Sequence, residues 1–115
     1  MSKVFVTQQN LARDAGGAMR PRFDLSPAAE YGELVYIFGA GQIALEPEAM
    51  VDGIEARLDE LRFDPAEDYL LATGDMVLGA MAFHAMMLRG GCRMLRWDGR
   101  YRRYDVIKLE DENVD

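Results

Sequence analysis

Thr73-Gly74-Asp75 is the segment whose residue types and spacing come closest to chemistry. It follows the apolar run Tyr69 to Ala72 and precedes an almost wholly apolar stretch ending at Gly90-Gly91. That order reads as a strand, a tight turn and a helix, so three backbone amides, a hydroxyl and a carboxylate meet at a helix N-terminus beside the carboxyl end of a strand. Open α/β sheets usually bind ligands there. The carboxylate selects among ligands, because it would repel a phosphate and suits a ribose or an amine better. Asp75 is equally suited to capping the helix by accepting from the free amides of its first turn, and capping is the commoner role. Gly39 and Gly41 form a second glycine turn after the run Glu33 to Phe38, and they could line the same pocket. No lysine or further glycine completes a P-loop or dinucleotide fingerprint there, which favours a plain turn.

Other reactive residues fare less well. His84 is the sole histidine and lies in the middle of the apolar helix, which reads as an interior or interface position rather than a general acid or base. Cys92 is the sole cysteine and lies just past that helix's C-terminus, where the dipole disfavours a thiolate. One cysteine and one histidine exclude a disulfide and a zinc site of the usual nitrogen and sulfur kind. The two serines, Ser2 and Ser26, fall in terminal and loop sequence. No catalytic residue, metal site or cofactor is therefore assigned.

Charge marks a second candidate surface. The 115 residues carry a net charge of -7, unfavourable for general nucleic-acid binding. Between Arg89 and Lys108, however, seven basic residues face two acidic ones, a balance of +5 that leaves -12 on the remainder. Within it, Arg93, Arg96, Trp97, Arg100, Tyr101, Arg102 and Arg103 interleave arginines with aromatics. Such a ribbon can stack on and neutralise single-stranded nucleic acid. Pairing of its arginines with an acidic helix at Asp52 to Glu60, or with a partner subunit, is the favoured alternative.

These residues require elements to position them. Lys3 to Thr7 reads as a first strand, Glu33 to Phe38 as a second that is covered on both faces, and Tyr69 to Ala72 as a third. Glu46-Pro47-Glu48 opens a surface helix running to Leu61 or Arg62, whose apolar stripe is Met50, Ile54, Leu58 and Leu61. The helix from Met76 to Leu88 has no polar face, so it is expected to be heavily buried, with any remaining apolar surface covered by a second subunit. Cys92 to Trp97 and Arg100 to Leu109 read as a hairpin closed by a two-residue Asp98-Gly99 turn, which sets Trp97 against Arg100, Arg96 against Tyr101 and Leu95 against Arg102.

The fold class is thus α/β: a small, mainly parallel sheet with two crossover helices and a C-terminal antiparallel hairpin. Residues 1–109 form a single domain, residues 8–31 a long surface loop, and residues 110–115 an acidic, frayed tail. No apolar run reaches the length of a membrane helix and no secretory signal is present, which predicts a cytoplasmic protein.

Leu70-Leu71 followed by Gly74-Asp75, together with a terminal hairpin carrying Leu95-Arg96-Trp97-Asp98 and Arg102-Arg103-Tyr104, resembles small α/β proteins of tailed phages and prophages. The resemblance extends over most of the chain and implies a viral setting, in which small acidic proteins often bind a host or viral macromolecule. The resulting expectation is a non-enzymatic accessory protein, homodimeric, whose partner is a protein or nucleoprotein complex, with nucleic acid as a further partner through the hairpin. The alternative is a nucleotide- or nucleoside-binding protein or enzyme using the Thr73-Gly74-Asp75 turn.

Overall fold

The computed structural model describes residues 1–22, 24–39 and 46–110. The first strand, β1 (Lys3–Gln8), is followed by a short ribbon of β2 (Leu11–Arg13) and β3 (Met19–Pro21) and by a 3-10 turn at Ser26–Glu30. Then come β4 (Glu33–Phe38), α1 (Pro47–Glu60), β5 (Tyr69–Leu71), α2 (Met76–Met87), β6 (Gly91–Asp98) and β7 (Arg103–Glu110). The main sheet has the order β4-β1-β5-β6-β7, parallel from β4 to β6 and antiparallel between β6 and β7. The expected α/β class, crossover helices and terminal hairpin are all present.

Alternation of side chains along the strands divides the core into two layers. Phe5, Ile37, Leu70 and Cys92 face α1 and α2, packing with Ile54, Leu58, Leu78, Ala82 and Met86. Val4, Val6, Leu71, Leu95 and Tyr104 form the other layer, closed by Ala28 of the 3-10 turn. Ile54 and Leu58 of the predicted α1 stripe are buried, and Met50 and Leu61 pack at its margin. The central position belongs to β1, whose residues Val4 to Gln8 are all buried. Glu33 to Phe38, expected to be covered on both faces, is an edge strand of the described sheet whose six residues include only two buried ones, Ile37 and Phe38.

Three further expectations change. Residues 8–31 are not a plain loop, because Asp14 organises the ribbon turn by accepting from the amides of Gly16 and Ala18 and from Arg20 Nε at 2.6 Å. Those donors hold its carboxyl below the ordinary range, Arg20 contributing most. The hairpin closes through the four residues Gly99 to Arg102 rather than two, with Asp98 opposite Arg103. Trp97 therefore opposes Tyr104, Arg96 opposes Asp105 and Leu95 opposes Val106. A two-residue turn would have set Arg100 and Arg102 across from Trp97 and Leu95 on the layer that holds Val4 and Val6. The longer loop places Tyr104 there instead, packed edge-on against Trp97 at 5.1 Å, and avoids burying an arginine. Finally, Glu110 is the last residue of β7 and pairs with Gly91, while residues 111–115 of the expected tail lie outside the described residues.

The amino end of β1 is tied down by a buried carboxylate. Asp68, wholly inaccessible, accepts from the amides of Lys3 and Asp64, each at 2.8 Å, and lies 3.3 Å from Lys3 Nζ. Removing it strands two amides and a part-buried ammonium. Asp68→Ala is expected to lower unfolding stability by about 3 kcal/mol with an unchanged urea m-value, and Asp68→Asn, which keeps one acceptor, by clearly less. Equal stability of Asp68→Ala and wild type in urea titrations would contradict this role.

Candidate functional site

At the opposite end of β1, the chain after β5 turns sharply into α2. Thr73 Oγ1 donates to the carbonyl of Gln8 at 2.7 Å, and the amide of Asp75 donates to Gln8 Oε1 at 3.1 Å. Asp75 Oδ1 accepts from the amides of Val77 and Leu78, at 2.7 and 3.3 Å, and so caps α2. Gly74 has φ +79°, and a Cβ there would stand 2.2 Å from Gln8 Oε1, so glycine is required both for the backbone and for the space. The hydroxyl and carboxylate that made this turn a ligand candidate are thus both engaged within the protein. Gly39 follows β4 at the same end of the sheet, and Gly41 lies outside the described residues.

Two residues of this region carry unmet hydrogen-bonding capacity that the turn itself lacks. Gln8 is 2% exposed, and its Nε2 has no acceptor; Asn10 Nδ2 is likewise buried without one. A buried donor left without an acceptor costs about 1–3 kcal/mol. Gln8 and Asn10 line a cavity of about 570 Å³ together with Leu25, Leu34, Tyr36 and Thr73, roofed by Arg20 and Pro21 of the ribbon. Asp24, at its margin, is held ionised below the usual carboxylate range by the hydroxyl and then the amide of Ser26. The one sequence signal for this pair is the spacing of two amides by two residues at the carboxyl end of a strand, which puts both on one face.

A second hollow of about 700 Å³ adjoins the first through Asp24, Leu25 and Thr73. It exists because β5 ends at Leu71 while β6 continues to Asp98, leaving a notch that Arg22, Arg96, Trp97 and Tyr104 line. Burial raises the Tyr104 phenol above its ordinary pKa, with the charge of Asp24 adding to the effect.

The basic ribbon divides in this setting. Arg93 is committed to the fold: its guanidinium lies 4.1 Å from the centre of the Tyr69 ring, and its Nε donates to the carbonyl of Asp68. Arg96, Arg100, Arg102 and Arg103 are exposed, as are Trp97 at 45% and Tyr101 at 64%. Arg100 and Arg103 both lie over the Tyr101 ring, at 5.7 and 5.1 Å, so stacking does occur, with different partners from those a two-residue turn would give. Pairing with the acidic helix falls instead to Arg89, which bridges Asp59 at 2.6 Å and Glu55. In the hairpin loop the single ion pair among the described residues is Arg100 with Asp98 at 3.7 Å.

A match to the phage Pam3 gp32-like protein family extends over residues 2–111. The chain belongs to this family. No curated protein and no solved structure matches the chain. The phage context expected from the turn and the hairpin is therefore correct, and the residues described above are those of a small phage protein. No helix among the described residues is long and apolar enough to cross a membrane.

Two residues set aside for chemistry occupy different surroundings. His84 was expected at an interior or interface position; it is not interior but exposed, on the groove between α1 and α2, because α2 presents only one side to the sheet. Cys92 is 1% exposed, its Sγ 3.7 Å from Met86 Sδ, and burial pushes its thiol up to about 12. The unfolded chain ionises this thiol near 9 while the native protein keeps it neutral. Its contribution to stability is therefore complete below pH 9 and declines as pH rises from there. Cys92→Ala is expected to flatten that alkaline decline in unfolding titrations, and native Cys92 to resist thiol reagents until denaturant is added; rapid labelling of the folded protein would contradict the assignment.

Proposed function

We propose that this phage-family protein is a non-enzymatic accessory protein that works in the host cytoplasm by binding a protein or nucleoprotein complex through its hairpin loop. The observation that supports this reading is the separation of charge. Glu55, Asp59 and Glu60 of α1 take Arg89 and Arg57 as partners, while Arg96, Arg102 and Arg103 have no ion pair among the described residues and stand beside exposed Trp97 and Tyr101. Arginine and large aromatics are the residue types enriched where protein interfaces concentrate their binding energy. Arginines pre-stacked on Tyr101 also lose less conformational freedom on docking. A basic tip on an acidic body orients approach to an acidic surface.

Immobilised wild-type protein is expected to retain a partner from phage-infected host extract in a salt-sensitive manner, and a protein carrying Arg100→Glu, Arg102→Glu and Arg103→Glu to lose it by at least about tenfold. Retention abolished by nuclease would assign the partner to nucleic acid. Equal retention by both proteins would refute the hairpin reading.

Self-association belongs to the same proposal. Met76 (85% exposed), Val77 (61%) and Leu88 (72%) lie with Ala80 and His84 along the outer side of α2, and Val51 of α1 adjoins them. This is an apolar stripe with no charged residue on α2, of the kind a two-fold related copy covers. Light scattering of the eluted protein is expected to give a dimer mass, and Val77→Glu a monomer with a similar melting temperature. A monomeric wild type would remove this part of the proposal.

A further inference from the structure

We propose that the notch between the end of β5 and β6 receives an extended segment of a partner protein, which adds a strand beside Leu95 to Asp98 and presents alternating apolar and acidic side chains. This rests on the partner being a protein, and it assigns the form in which that partner docks.

The notch is a vacant strand position. Consecutive side chains on a strand point to opposite faces, so a hollow lying over one face touches alternate residues. This one touches Met94, Leu95, Arg96 and Trp97 in succession, which places it along the edge of β6. Pairing of β5 with β6 consists of Leu70 opposite Met94, and no other backbone group among the described residues bonds β6 on that side. The N–H and C=O groups of Leu95 to Asp98 that point away from β7 are thus open to a further strand. The gap has a cause in the fold. Thr73 Oγ1 and the amide of Asp75 both bind Gln8 of β1, which draws the chain after β5 away from β6. Four residues offer an edge of roughly 13 Å. The hollow of about 700 Å³ is roomy enough for a bound segment.

Side chains on the two faces select the occupant. Leu95 and Trp97 share the face of Leu25, Leu71 and Tyr104, which is apolar. Arg96 stands on the opposite face, exposed, and forms no ion pair among the described residues although Asp105 lies across from it on β7. A strand added here sends alternate side chains to these two environments, so apolar residues fit beside Trp97 and acidic residues beside Arg96. Arg22 and Asp24 share the rim. The Asp24 carboxylate accepts from the hydroxyl and amide of Ser26 and stays ionised, which disfavours acidic side chains on its own side of the strand. A nucleic acid has no peptide groups with which to continue the ladder, which favours a polypeptide.

The test uses the full chain and acetylated, amidated heptapeptides: valine alternating with glutamate, valine alternating with lysine, and the glutamate peptide N-methylated on one or the other alternate set of amides. Binding is read from the fluorescence of Trp97, the single tryptophan of the chain, and from hydrogen exchange of its backbone amides. The glutamate peptide is expected to change the emission and to slow exchange within Leu95 to Asp98. The lysine peptide and at least one N-methylated peptide are expected to bind roughly tenfold more weakly or worse. Arg96→Glu, at an exposed position without an ion pair among the described residues, is expected to keep the melting temperature and to reverse the preference towards the lysine peptide. No response to the glutamate peptide at millimolar concentration, equal binding of the glutamate and lysine peptides, equal binding of both N-methylated forms, or protection that spares Leu95 to Asp98 would each overturn the proposal. Failure of the peptide while the Arg100→Glu, Arg102→Glu, Arg103→Glu protein still loses its host partner removes this docking mode and leaves the hairpin reading standing. Peptide binding as described, with equal retention of the host partner by both proteins, supports the notch and removes the loop.

Discussion

The pairing of β1 between β4 and β5 is the constraint on which the rest of the molecule depends. The chain leaves β4, crosses the sheet through α1 and joins β5 on the far side of β1, so the first strand is clasped by two that follow it. Parallel neighbours on both sides leave no edge to water, which is why Val4 to Gln8 are all buried. Both ends of the strand are then fastened to the segments flanking β5. Asp68 holds Lys3 at the amino end, and Thr73 and Asp75 hold Gln8 at the carboxyl end. Drawing Gln8 inwards in this way leaves a buried amide beside the cavity at the strand ends.

The second organising fact is how charge is distributed once the sheet forms. Helix α1 carries its acids on one side of the sheet near β4 and is answered by Arg89 at the end of α2. The hairpin extends from the other edge of the sheet, and among the described residues its loop has one ion pair, Arg100 with Asp98. Attraction between opposite charges is weak across such a distance in water at ordinary ionic strength, so the ribbon stays open to solvent. The fold leaves Arg102 and Arg103 without an ion pair among the described residues, and Arg103 stacks on Tyr101 beside Arg100, which also pairs with Asp98.

Much of this was legible from residues alone, for identifiable reasons. The stripe of Met50, Ile54, Leu58 and Leu61 marked α1, because a helix can bury only residues that recur at its period. Asp75 as a cap followed from its place before an apolar run, and it does cap α2. The hairpin register was misread because Asp-Gly is the strongest local signal for a two-residue turn. Local turn preference was outweighed by core packing, which favours Tyr104 over an arginine against Val4 and Val6. The exposure of His84 was equally invisible: α2 is apolar all round, and composition alone does not tell which side lacks a neighbour.

The sequence by itself determined the five strands of the main sheet and the two α-helices, where α2 is capped, and that the basic residues gather near the C-terminus. These properties are encoded in short-range periodicity and in the chemistry of single residues. Only the tertiary structure decided that β1 is central, that Arg89 rather than the hairpin answers the acidic helix, and that Gln8 and Asn10 converge beside Gly74 with their donors unmatched. Strand order and the meeting of residues some sixty-five positions apart in the chain depend on long-range packing, which leaves no local pattern to read.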